Sequence, residues 1–137
     1  MKIKWTIPAI KQLLAIAMLV PAIFFMHANQ AFAHASLVKA EPARRAVLST
    51  APSQVRLWFN EEIEPAYASL SLLDEEKKSV TDNKVKVHPE DAKSILLELP
   101  EIQPGRYTVK FRVLSVDGHV VDSDYNFTVT DKVKKND

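Results

Sequence analysis

The residues best suited to hold a ligand lie at two distant points of the chain. Ser115-Val116-Asp117-Gly118-His119 places a carboxylate and an imidazole two residues apart. On a strand or tight turn, residues i and i+2 face the same side, so Asp117 and His119 can both face one ion. Gly118 lets the backbone bend between them. The second point is His34, which follows Ala31-Phe32-Ala33. Small residues at 31 and 33, a basic start at Lys2, Lys4 and Lys11, and an uncharged apolar run from Leu13 to Met26 together read as a cleaved secretory signal.

Cleavage after Ala33 makes His34 the first residue of the mature chain. Its free α-amine and its ring Nδ1 then close one chelate ring on one metal. An α-amine has a pKa of about 8, so the metal must displace a proton, and affinity falls with pH. The third mature residue is Ser36, so the amino-terminal motif with histidine in third place does not apply. Each half of the constellation is weak alone, because Asp-Gly is a common turn and any residue can follow a cleavage site. Combined, they supply an amine, two imidazoles and a carboxylate. Nitrogen-dominated tetragonal fields suit Cu(II), which tops the affinity order of the divalent ions. Zn(II), which prefers tetrahedral closure, is the competitor. The remaining mature histidine, His88, precedes Pro89 in a turn and reads as a surface or capping residue.

Composition narrows the chemistry further. Of the 18 Lys and Arg residues of the 137-residue chain, three lie before His34, so 15 face all 17 acidic residues in the mature part. That balance excludes a basic nucleic-acid surface. Cysteine is absent, and Met1, Met18 and Met26 all precede His34. Soft sulfur ligands select Cu(I), and the mature chain offers none. The apolar run is interrupted by Pro21 and is short for a spanning helix, so no membrane embedding is expected after cleavage, an uncleaved anchor being the alternative.

The elements that must position these residues are strands. Val55, Leu57 and Phe59 alternate with Arg56, Trp58 and Asn60, and Leu70 and Leu72 alternate with Ser69 and Ser71. Val85 and Val87 follow the same period, as do Tyr107, Val109, Phe111 and Val113, and Tyr125, Phe127 and Val129. Ile95–Leu99 is a short apolar run, and Ala35–Lys39 is read as a first strand. Turn signals such as Glu41-Pro42, Glu64-Pro65, Pro104-Gly105 and Asp117-Gly118 separate the runs. About seven strands in one small domain predict an all-β, antiparallel Greek-key sandwich with immunoglobulin-like connections. Pro104-Gly105-Arg106-Tyr107 resembles the entry to a tyrosine corner, the alternative being a core-edge tyrosine with no special bond. Asp74–Lys78 reads as a solvated hairpin turn, and 131–137 as a polar tail.

At this point the chain resembles the CopC-domain family of small secreted copper-binding sandwiches. The resemblance covers nearly all of 34–130 and rests on HASLVKAEPA, APSQVRLWFNEEIEPAYASLSL and LPEIQPGRYTVKFRVLSVDGHVVDSDYNFTV, in that order. It implies one Cu(II) per mature chain. His34 would supply amine and ring nitrogen, His119 a second ring, and Asp117 the carboxylate. It also implies that Glu61 lies near the metal as a weak ligand or supporting acid, although Glu61 alone reads as a solvated strand-end residue beside Glu62. Phe59-Asn60-Glu61 departs from the family's Phe-Ser-Glu, and Val120 stands where many relatives have proline. The Met-rich Cu(I) site of some relatives is not expected here. Nor is a fused transporter, since no apolar span follows before Asp137.

The function expected on this reading is a periplasmic Cu(II) carrier or buffer in copper resistance or homeostasis. It would be monomeric and non-enzymatic, with a membrane copper transporter as a candidate partner. The alternatives are a histidine-brace copper oxidase or monooxygenase and a metal-free interaction module.

Overall fold

The computed structural model describes residues 35–131. Residues 1–34, which hold the expected secretory signal and His34, and residues 132–137 lie outside the described residues. Eight strands form two four-stranded sheets. The strands are β1 (Leu37–Glu41), β2 (Val47–Leu48), β3 (Gln54–Phe59), β4 (Ser69–Leu73), β5 (Lys86–His88), β6 (Asp91–Glu98), β7 (Gly105–Leu114) and β8 (Val120–Val129). One sheet runs β1-β3-β6-β5 and the other β2-β8-β7-β4. The chain changes sheet at every connection except the β5–β6 and β7–β8 hairpins, which gives the sandwich its crossed connections.

Alternation explains the core. Val55, Leu57 and Phe59 of β3 are buried, as are Leu70 and Leu72 of β4, and Tyr107, Val109, Phe111 and Val113 of β7. Tyr125, Phe127 and Val129 complete the layer from β8. Each side chain of this size stabilises the fold by about 1.5–3 kcal/mol when fully removed from water. Phe59 of one sheet meets Phe111 of the other edge-on, ring centroids 5.8 Å apart and planes at 65°, so the strand leading to Asn60 is locked to the strand leading to Ser115.

The structure extends the sequence reading at its edges. The first strand starts at Leu37, two residues later than expected, and Ile95–Leu97 is the buried half of a longer strand that begins at Asp91. The two-residue β2 was not expected, and it pairs with β8 in parallel. Its Val47 is exposed, so it carries no alternating pattern; backbone bonds hold it, with Thr128 N–H donating to Ala46 O at 2.9 Å and Thr130 N–H to Leu48 O at 2.8 Å. Asp74–Lys78 forms the expected turn, closed by Asp74 N–H donating to Lys78 O at 2.9 Å, with Lys77 in the left-handed region at φ 67°. The tyrosine corner is present, for Tyr107 donates its hydroxyl to Gln103 O at 2.6 Å. His88 ends β5, where its Nδ1 accepts from Glu90 N–H at 3.3 Å, a capping contact.

Candidate metal centre

The ten-residue strands β7 and β8 are in register from Gly105↔Val129 to Leu114↔Val120. Five residues, Ser115–His119, turn the chain between them. Ser115 N–H donates to His119 O at 2.9 Å, and Gly118 N–H donates to Ser115 O at 2.8 Å. Gly118 sits at φ +92°, a conformation that side-chain-bearing residues rarely adopt, so glycine is required to close this turn.

Inside the loop, Ser115 is fully buried and organises both chemical groups. Its hydroxyl donates to Asp117 Oδ1. The same oxygen accepts from His119 N–H at 3.1 Å. Asp117 Oδ2 then lies 2.9 Å from His119 Nδ1. The Asp117 carboxyl is held below the ordinary carboxylate value, first by the Ser115 hydroxyl and then by His119, with desolvation opposing them. The His119 and Asp117 side chains keep 27% and 39% of their surface, so the pair is partly sheltered.

A neighbouring segment braces the loop. Ile63 bridges Ser115 in antiparallel fashion, Glu64 N–H donates to Leu114 O at 2.9 Å, and Val116 N–H donates to Glu62 O at 2.9 Å. The same segment begins at Asn60, which grips the start of the domain twice. Asn60 Oδ1 accepts from Ser36 N–H at 2.6 Å, and Asn60 N–H donates to Ser36 O at 3.1 Å. Lys93 Nζ donates to Asn60 O at 3.1 Å and holds the segment from the other side. Three residues of chain, at most ~11 Å, therefore separate the anchor of Ser36 from the residue that bridges Ser115.

Of the four residues singled out from the sequence, the structure brings Asp117 and His119 together. Glu61 lies half-exposed on the bracing segment, and among the described residues no third histidine or acidic residue joins the pair as a metal cluster. His34 lies outside the described residues. Two contributors were missed as individual residues. Ser115 carries no role in the sequence reading of the Ser115–His119 segment, and its hydroxyl bonds both Asp117 and His119. Asn60 was noted only as a departure from a pattern, and it fastens the domain's first residues to the bracing segment. The one signal for Ser115 is its place two residues before the aspartate, on the same face.

Comparison with known proteins agrees with this architecture. The family model described as CopC domain matches residues 37–130. The chain is 31% identical over 99 residues to protein YobA of Escherichia coli strain K12, covering 72% of this chain and 80% of that one. It is 27% identical over 99 residues to copper transport protein CutJ of Bacillus subtilis strain 168, where the match takes up 72% of this chain and 18% of the relative. Among solved structures, CopC from Methylosinus trichosporium OB3b superposes with a TM-score of 0.67 at 41% identity, covering 72% of this chain and 95% of that one. PcoC, a methionine-rich copper resistance protein from Escherichia coli, superposes with a TM-score of 0.62 at 27% identity, covering 72% and 100%. With the matched segment running from the first strand to the end of the last, the chain belongs to the CopC domain family.

Proposed function

We propose that the exported, processed protein binds a single Cu(II) through His34, Asp117 and His119, with Glu61 beside the site, and serves as a periplasmic copper carrier or buffer in copper resistance or homeostasis. The observation that carries this reading is the Asp117–His119 pair, set by a buried serine on a loop braced by the segment that also anchors Ser36. His34 lies two residues before Ser36 in the sequence. Two residues span at most ~7 Å, which bounds how far the amino-terminal chelate lies from the Ser36 anchor.

The donor set fits copper. His119 Nδ1 lies 2.9 Å from Asp117 Oδ2, the kind of contact by which a carboxylate orients a metal-binding imidazole. An ionised carboxylate has about four lone-pair sites, so Asp117 can hold Ser115 and His119 and still meet a cation. Copper resistance and copper transport stand in the names of relatives with the same fold. This chain differs from the methionine-rich one in having no Met beyond Met26, which argues for Cu(II) without a second, sulfur-based Cu(I) site.

The test is a Cu(II) titration of protein beginning at His34, read by electron paramagnetic resonance, beside a form with one residue added before His34. One equivalent bound in a nitrogen-rich tetragonal signal, weakened strongly by the added residue, is the expected result. Equal binding by both forms would remove the amino-terminal ligand, and no stoichiometric binding would remove the copper site.

A further inference from the structure

At the end of the β7–β8 pair away from the Ser115–His119 loop, a cavity of about 710 Å³ opens on the outer face of β8. Arg44, Arg45 and Arg106 stand around it, over Asp124, Asn126 and Thr128. All three arginines are exposed, and none makes an ion pair among the described residues. By contrast, Arg56 and Arg112 are paired with Asp91 and Asp122. Three guanidinium groups that make no ion pair among the described residues thus stand around one hollow, a local concentration of positive charge in a region, 34–137, where acidic side chains outnumber basic ones.

The backbone presenting them is held firmly. Arg45 sits in the left-handed region at φ 61° without being glycine, and its N–H donates to Asn126 O at 2.7 Å. Just before it, the buried Tyr125 hydroxyl donates to Pro42 O at 2.8 Å. The Arg44 guanidinium lies 6.0 Å from the centre of the Tyr125 ring. Just after it, Ala46 O accepts from Thr128 N–H at 2.9 Å. Arg106 is placed by register, opposite Thr128 on the paired strand, and its N–H is secured by Glu75 Oε1 at 3.0 Å. A non-glycine residue kept in a sparsely populated conformation by surrounding bonds points to a use for the side chain it carries.

We infer that this arginine-rimmed cavity is a second binding site, separate from the proposed metal centre and independent of it, that takes a phosphate-bearing ligand. Guanidinium groups are planar forks that pair with oxyanions through two hydrogen bonds. A carboxylate satisfies one such fork. A phosphate carries three terminal oxygens and up to two negative charges, so it engages guanidinium groups from more than one side. Asn126 and Thr128 on the floor add polar side chains, Asp124 lies among the lining residues, and the Glu75 carboxylate adjoins Arg106 through its backbone N–H. The cavity is roomy enough for a ligand larger than a single inorganic phosphate, so the phosphate can belong to a soluble polyphosphate or to a lipid headgroup.

The experiment uses the processed, copper-free protein and three probes: inorganic phosphate, pyrophosphate, and vesicles containing phosphatidylglycerol. Backbone amide shifts at Arg45, Arg106 and Asn126 report the soluble probes, and co-sedimentation reports the vesicles. Saturable binding of at least one probe is expected, weakened at least tenfold by Arg44→Gln with Arg106→Gln and left unchanged by Lys39→Gln with Lys86→Gln on the other sheet. Arg106→Gln alone, which removes no side-chain bond of the fold, keeps the test readable if the double variant is unstable. Pyrophosphate binding alone assigns the site to a soluble phosphate, and vesicle binding assigns it to a headgroup; both support the site. No saturable response to any probe, or an equal loss in the lysine variant, overturns it.

Discussion

Oδ2 of Asp117 lies 2.9 Å from Nδ1 of His119, while the other oxygen of the same carboxylate takes the hydroxyl of Ser115. One carboxylate thus orients an imidazole and is itself oriented from behind. Metal sites use this layering because a ligand ring free to rotate would lose entropy on each binding event. His119→Ala should therefore abolish stoichiometric Cu(II) binding. Asp117→Asn, which keeps the shape but not the charge, should weaken it by about 10- to 100-fold. Competition titration against a chelator of known affinity measures both, and wild-type binding by Asp117→Asn would remove the carboxylate from the site.

Ser115 gives a test that needs no copper. The lowered pKa of Asp117 means that the folded state favours its charged form, so this interaction adds stability above the ordinary value of 3.8 and the gain is lost as pH falls through the lower folded value. Ser115→Ala removes the largest cause, so the Asp117 carboxyl should titrate at a higher pH than in the wild type. Carbon-detected NMR of the carboxyl resonance follows this residue directly. An unmoved titration curve would show that the serine hydroxyl does not govern the carboxylate.

Gly118 separates backbone strain from packing. An added Cβ would meet nothing within 4 Å, but the residue sits at φ +92°. Gly118→Ala should cost about 1–2 kcal/mol, from conformation alone. The urea midpoint should fall accordingly and Cu(II) affinity with it. Gly118→Asn should recover part of both, since asparagine tolerates positive φ better. Equal losses for alanine and asparagine would point away from strain.

Two tyrosines fasten loops to the sandwich without touching the proposed metal site. Tyr107→Phe and Tyr125→Phe each remove a hydroxyl donated to a backbone oxygen, from Gln103 and Pro42 respectively. Each should lower stability by about 1 kcal/mol in urea denaturation. Burial pushes the Tyr125 hydroxyl well above its ordinary value of 10.0. The unfolded chain ionises that tyrosine first, so its contribution is complete below pH 10 and is lost as pH rises beyond it. Wild-type protein should therefore lose stability in alkali more steeply than Tyr125→Phe.

Much of the fold was legible because burial on one face writes itself into a strand as a period of two. Val55-Leu57-Phe59, Tyr107–Val113 and Tyr125–Val129 each read correctly without knowledge of any neighbour, since each stretch carries its own alternation. β2 did not, because Val47 is exposed and its pairing with β8 is made of backbone bonds that have no side-chain signature. The tyrosine corner was visible as a local motif, but only the fold shows the hydroxyl reaching Gln103.

The candidate site divides in the same way. The sequence by itself determined the donor types, the Asp117–His119 spacing and the absence of sulfur beyond Met26, since these are matters of residue identity and order. The tertiary structure alone decided that Ser115 is buried beneath the pair, that Asn60 holds Ser36, and that Arg44, Arg45 and Arg106 surround one cavity. Those relationships depend on which strands pair and in what register. Register is settled by long-range packing of the two sheets, whereas the pattern within a strand is settled by which of its own residues avoid water.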